Sequence, residues 1–354
     1  MSEYLAKDLL TLAPYVPGEQ PKDGAFVKLN TNENPYFPSR YAVSLITDKA
    51  IDDLRLYSDP TCAALRGAIA AHYGVGEKNV AVGNGSDEIL AFAFRAFAEN
   101  GVCFPDVTYG FYKVFAALFG AAAEIVPLRD DFTVDAAQYA DKKKLVVIAN
   151  PNAQTGIYLP LSAVETLAES NRGSVVLVDE AYVDFGGESA VKLIGKYDNL
   201  LIVQTFSKSR SLAGARVGFA LADEKLIADL ERVKYSFNPY NVNRLSAILA
   251  KAAMEDVSYF ADSTEKIVRT RESFAAELKK LGFSAIPSSA NFIMAKHEKI
   301  GGAALYEKLK TRGILVRHFG EERIRDYVRV SIGTPENMRV FCEAAKEIID
   351  GTKG

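Results

Sequence analysis

Between about residues 79 and 222, short apolar runs rich in β-branched residues alternate with longer stretches whose apolar positions recur at helical spacing. The runs at 79–82, 101–104, 123–128, 145–149, 175–178, 200–204 and 217–221 are predicted strands. Several are apolar at successive positions rather than alternate ones, the pattern of a parallel sheet covered by helices on both faces. The middle of the chain therefore predicts an α/β domain around a mostly parallel seven-stranded sheet. Beyond about residue 225 the pattern changes to long helical periodicity, as over 259–281, where charged residues separate Ile267, Phe274 and Leu278. Strand-like pieces follow at 291–295, 313–317 and 327–332, which predicts a smaller α+β domain. The first forty residues contain Pro14, Pro17, Pro21, Pro35 and Pro38 and read as an extended arm. The expected division is 1–40 for the arm and the start of the small domain, 41–240 for the large domain and 241–354 for the rest of the small one.

Composition narrows the chemistry. With 42 basic against 45 acidic residues and a net charge of −3, the chain has no basic field to recruit a polyanion. Nucleic acid is thus not an expected partner, and small molecules are. The three cysteines, Cys62, Cys103 and Cys342, are scattered and form no CxxC pair, which argues against a disulfide framework or a zinc cluster and for a reducing compartment. The first residues lack the basic start and apolar run of a signal peptide, and the greasiest stretch, 111–126, is interrupted by Lys113, Gly120 and Glu124. The expectation is a cytoplasmic protein with no membrane partner. The run Lys142-Lys143-Lys144 reads as a solvated loop leading into a strand.

Several chemistries lack their motifs. There is no P-loop and no serine-hydrolase elbow, and Glu88 stands where a dinucleotide fingerprint starting at Gly83 needs its third glycine. His72, His297 and His318 are isolated and not spaced as metal ligands, so no metal is expected.

What remains is a set of polar groups at strand ends, where open α/β sheets bind ligands. The run 79–82 ends in Gly83-Asn84-Gly85-Ser86-Asp87, a glycine-permitted turn onto a helix over 89–97. A helix N-terminus there favours a phosphate, though an ordinary cap by Ser86 or Asp87 reads equally well. Asp179 follows four buried-type apolar residues, and a carboxylate in that place needs donors or a cation; a protonated pyridine nitrogen and a structural ion pair both qualify. Lys208 follows the run 200–204, where partial desolvation lowers an amine's pKa and suits a Schiff base; taken singly, a solvated lysine is the simpler reading.

The ordered set is more specific than its parts. Leu29-Asn30-Thr31-Asn32-Glu33-Asn34-Pro35, Tyr57-Ser58-Asp59-Pro60, Asp179-Glu180-Ala181-Tyr182, and Thr205-Phe206-Ser207-Lys208 running on to Arg216-Val217-Gly218 resemble the fold-type I pyridoxal-phosphate aminotransferases over essentially the whole chain. The likeness is strongest to the branch that acts on histidinol phosphate. It implies pyridoxal 5′-phosphate held covalently by Lys208, with Lys208 also carrying the proton of the reaction. It implies Asp179 on the pyridinium nitrogen, Tyr182 on the ring hydroxyl oxygen and Tyr109 stacked on the ring face. The phosphate falls to the backbone N–H groups of Ser86 and Asp87, to the hydroxyls of Thr205 and Ser207, and to Arg216. Tyr57 is implied to reach the neighbouring subunit's cofactor, which makes a homodimer with shared active sites the expected assembly.

The sequence departs from the family pattern at Asn152-Ala153-Gln154-Thr155-Gly156: Ala153 replaces the asparagine that ordinarily bonds the ring oxygen. That role then passes to Asn152, or to Tyr182 alone. Arg329 matches the family's carboxylate-binding arginine and can fork onto carboxylate or phosphate, with pairing to Asp326 as the structural alternative. Tyr15 and Tyr57 are candidate walls for the substrate's imidazole or phosphate. The expected substrates are histidinol phosphate, glutamate and 2-oxoglutarate. An aromatic amino-acid aminotransferase, a phosphothreonine decarboxylase, and a cofactor-free nucleotide- or sugar-binding module are the competing readings.

Overall fold

Apolar residues at successive positions in the buried strands feed two cores, one on each face of a single sheet. Leu145, Val147 and Ala149 pack into one cluster with Leu177, Leu201 and Val203, while Val146 and Ile148 pack into the other with Val176, Val178 and Ile202. This period-2 division is why the runs carry no polar alternation. The computed structural model describes residues 2, 4–20 and 26–353, so Pro21 of the arm lies outside the described residues.

The strands are β1 (Val27–Lys28), β2 (Val80–Gly83), β3 (Val102–Pro105), β4 (Ala123–Val126), β5 (Leu145–Ala149), β6 (Val176–Asp179), β7 (Leu200–Thr205), β8 (Gly218–Ala222), β9 (Phe283–Ala285), β10 (Phe292–His297), β11 (Ile314–Leu315), β12 (Arg317–His318) and β13 (Val328–Ser331). The large sheet has seven strands in the order β2-β8-β7-β6-β5-β3-β4. Within it β8 runs antiparallel to both neighbours and the other pairs are parallel. Hydrophobic pattern cannot give this direction, but the connection can. The chain returns from β7 to β8 without an α-helix, and a parallel pairing needs a crossover. Because β2 pairs with β8, it points the same way as β7, so the carboxyl ends of β2, β3, β5, β6 and β7 share one edge.

β4 closes the outer edge, and its Glu124 is paired with Lys142 and Lys144 at 2.5 and 2.7 Å. Two residues of the lysine run thus mark a charged sheet edge rather than a free loop.

The second sheet has the order β12-β13-β10-β9 and is antiparallel. The expected strand at 313–317 is divided at Val316: β11 pairs in parallel with β1, Val27 opposite Ile314, while β12 joins the four-stranded sheet. The N-terminal segment is thereby fixed to the C-terminal part of the chain. The helical stretch expected over 259–281 is the helix Val257–Lys280, opened by Asp256, whose side chain accepts from Tyr259 N.

Candidate active site

Four loops leave the shared sheet edge and enclose a cavity of about 350 Å³ whose wall includes Ser86, Asp87, Tyr109, Asp179, Tyr182, Thr205, Ser207, Lys208 and Arg216. All were singled out from the sequence, and the strand ends bring them together. Ala153 and, from the N-terminal segment, Thr31 and Glu33 complete the wall.

The helix Ser86–Phe97 begins at this cavity. Its N-cap is Gly85, and no side chain caps its first turn. Gly85 sits at φ +81, a left-handed backbone that favours glycine, and the Arg216 guanidinium lies over it, Nη2 2.5 Å from where a Cβ would stand. On the other side a Cβ on Gly218 would come within 2.3 Å of Ser86 N. The capping alternative for Asp87 is not what its side chain does: its carboxylate accepts from Tyr109 Oη at 2.9 Å and from Arg216 Nη2 at 3.3 Å. Uncapped N–H groups, the hydroxyls of Thr205 and Ser207, and a guanidinium held at φ +54 make a cradle suited to a phosphate monoester.

At the centre, Asp179 ends β6. Its Oδ2 accepts from Tyr112 Oη at 2.7 Å and its Oδ1 from Ala181 N at 3.2 Å. Burial pushes its pKa up to about 6, against the pull of those two donors. A cation facing it would reverse that shift, which is what a pyridinium nitrogen provides. Lys208 Nζ donates to the backbone oxygen of Thr31 at 3.0 Å. Burial, seconded by the charge of Arg329, brings its pKa down to about 8, while Glu33 and Asp87 oppose the shift. An amine that is already partly neutral near pH 8 is a more competent nucleophile and base than an ordinary lysine.

A second cavity of about 560 Å³ adjoins the first, the two sharing Gln20, Thr31, Tyr109, Tyr182 and Lys208. Its wall carries Tyr15, Lys113, Arg317 and Arg329. Tyr15 stacks on Phe111, ring centroids 4.3 Å apart. Arg329 lies between the rings of Phe292 and Phe319, at 5.1 and 5.2 Å, and its Nη1 donates to Ala153 O at 3.0 Å. Burial lowers its pKa, and its Nε has no protein partner. Among the described residues no carboxylate, Asp326 included, pairs with it. A half-buried guanidinium on a cavity wall with no counter-ion is suited to receive an anion.

Two expected site residues lie elsewhere. Asn152 is buried behind the wall, its Nδ2 donating to Val107 O at 2.9 Å, and Ala153 takes the wall position instead. The structure therefore does not bring the Asn152 amide to a ring oxygen; it ties down the loop that carries Tyr109. Tyr57 is 80% exposed and stacks on Tyr240 at 4.6 Å, away from its own chain's cavity. Sequence reasoning missed Tyr112, whose hydroxyl lies a helical turn past Tyr109, and gave no role to Arg317 or to the segment 31–33. The last lay within a quoted motif, which was the available signal.

Comparison with known proteins agrees with this geometry. Residues 25–344 match the family model for class I and II aminotransferases. The chain is 49% identical to the histidinol-phosphate aminotransferase of Brachyspira hyodysenteriae over 99% of both sequences. It is also 49% identical to that of Clostridium acetobutylicum, over 99% of this chain and all of the other. Among solved structures it superposes on the Sinorhizobium meliloti histidinol-phosphate aminotransferase in complex with pyridoxal 5′-phosphate with a TM-score of 0.84, at 25% identity, covering 92% of this chain and 91% of that one.

Proposed function

We propose, from the premise that this chain belongs to the class I and II aminotransferases, that it exchanges the amino group between L-histidinol phosphate with 2-oxoglutarate and imidazole-acetol phosphate with L-glutamate, a step of histidine biosynthesis. The observation that carries the substrate reading is the second cavity, where Arg317 and the counter-ion-free Arg329 stand beside Lys208. One anion site there serves in turn the phosphate of histidinol phosphate and a carboxylate of glutamate.

Pyridoxal 5′-phosphate, when bound, supplies an aldehyde to carry the amino group and a ring that accepts electron density from the substrate's α-carbon. The chain's residues do the rest. Ser86, Asp87, Thr205, Ser207 and Arg216 hold the phosphate through N–H, hydroxyl and guanidinium donors. Asp179 would hold the positive charge at the ring nitrogen, Tyr109 would cover the ring face, and Tyr182 would donate to the ring oxygen. Lys208 Nζ, at the cavity wall, would take and hold the proton of the substrate's α-carbon, a task its lowered pKa suits. Arg329 orients the α-carbon over Lys208 by gripping the anionic end of each substrate.

The test is a set of half-reactions followed by the change in cofactor absorbance, with histidinol phosphate, phenylalanine and phosphothreonine as alternative donors. Histidinol phosphate should react fastest; negligible turnover of it removes the substrate assignment. The assembly is a homodimer in the cytoplasm, with the exposed Tyr57 reaching the partner's cofactor phosphate. Its test is mixing inactive Tyr57→Phe and Lys208→Ala chains, which should restore part of the activity by forming one intact site per hybrid.

A further inference from the structure

The Tyr182 hydroxyl accepts a hydrogen bond from Asn32 Nδ2 at 3.0 Å. A phenol oxygen that accepts from an amide keeps its own proton for a different acceptor. Nor is the amide free to turn over. Ser331 Oγ donates to Asn32 Oδ1 at 2.9 Å and accepts from Asn32 N at 2.8 Å, which commits the carbonyl side to Ser331 and the NH₂ side to Tyr182. Asn291 Nδ2 donates to the Asn32 carbonyl at 2.9 Å, so the backbone is pinned as well. Asn32 is 1% exposed and sits at φ +55, a region a non-glycine residue occupies at a cost of roughly 1 kcal/mol or more. Strain held in place by four hydrogen bonds, one residue from the Thr31 oxygen that receives Lys208 Nζ, marks a device rather than an accident of packing.

We propose that Asn32 is a positioning residue: its amide turns the Tyr182 proton into the cavity, toward the hydroxyl oxygen of the pyridoxal-phosphate ring. Ala153 cannot donate there and the Asn152 amide is engaged behind the wall, so Tyr182 is the ring-oxygen donor and Asn32 fixes its direction. The inference rests on the cofactor reading above. A donor on the ring oxygen favours the form in which that oxygen carries negative charge, and so lowers the pH at which the lysine-linked chromophore loses its proton.

The experiment is a spectroscopic pH titration of the reconstituted holoenzyme, wild type against Asn32→Asp and Asn32→Gly, with thermal melts alongside. Asn32→Asp places an acceptor against Tyr182 and draws its proton away; Asn32→Gly removes the amide and relieves the backbone strain. The chromophore's apparent pKa should rise by about one unit in Asn32→Asp and by less in Asn32→Gly, with kcat falling more than KM changes. Titrations superimposable on wild type in both variants, even with lowered melting temperatures, overturn the inference and leave the cofactor reading standing. A wild-type protein that never acquires the visible absorbance overturns both. If Asn32→Asp does not fold, Asn32→Gly alone decides, because glycine accepts this φ.

Discussion

Asp179, buried, and Lys208, half-buried, are two charges of the proposed site whose placement costs stability. Asp179 has a folded-state pKa near 6, above its unfolded value, so its stabilising contribution is complete at low pH and lost as pH rises toward 6. Lys208, near 8 and below its unfolded value, contributes fully at high pH and loses that contribution as pH falls through 8. Between about pH 6 and 8 both are charged in the cofactor-free protein. Lys208→Met should therefore raise the melting temperature of the cofactor-free enzyme at pH 7 by a few degrees, as differential scanning calorimetry will measure, while abolishing transamination. A lowered melting temperature would show that Lys208 is structural. Asp179→Ala should cost several orders of magnitude in kcat, in line with the loss of a preorganised partner for ring charge; a loss under about tenfold would make the aspartate merely structural. Asp179 was legible because a carboxylate at the end of a solidly apolar run is conspicuous; Lys208, three residues past β7, stood out only through the ordered motifs it belongs to. Asn32 was not legible, since its role depends on Ser331 and Asn291, which lie some 260 to 300 positions away and meet it only through tertiary packing.

At the scale of elements, the phosphate cradle depends on a helix brought close to a strand. Gly218 opens β8 directly beneath Ser86 N, and a Cβ there would run into the Gly85–Ser86 backbone, Gly85 C lying 2.6 Å away. Gly218→Ala should displace the start of the helix Ser86–Phe97, weaken cofactor binding at least tenfold and cost about 1–3 kcal/mol in stability. Fluorescence titration with pyridoxal phosphate measures the first, and unchanged affinity would mean that the helix terminus is not part of the grip. The strands of the large sheet were readable to within a residue or two because all but the edge strand β4 are solid apolar runs feeding both cores. The antiparallel course of β8 was not, because a run buried on both faces has the same pattern in either direction. The division of 313–317 into β11 and β12 was equally hidden: it follows from which sheet each half joins, a property of the neighbours and not of the segment.

At the scale of the whole molecule, the segment after β12 reaches across to the α/β part through Arg323. Its Nη1 donates to Asp106 Oδ2 at 2.7 Å and its Nη2 to Arg129 O at 2.7 Å. Asp106 leads into the loop of Tyr109, while Arg323 lies between Arg317 and Arg329 in sequence, so this bridge ties the Tyr109 side of the two cavities to the side that carries the arginines. Arg323→Ala should raise KM for both amino donors severalfold, with little change in cofactor absorbance and a stability loss of about 1 kcal/mol. Steady-state kinetics will check this, and unaltered KM values would reduce the bridge to a surface contact. The composition and the two-part periodic pattern made the α/β plus α+β architecture legible from the sequence, but nothing local in Arg323 announced a link between the parts.

The pairing of β1 with β11 also has a consequence for how the protein is made. Lys208, Asp179 and the phosphate cradle are all in hand once the ribosome has passed β8, yet residues 27–33 have no strand to lie on until β11 emerges. Asn32 finds its serine only with residue 331. A nascent chain can thus build the sheet early, but it acquires a finished catalytic pocket only near the end of translation.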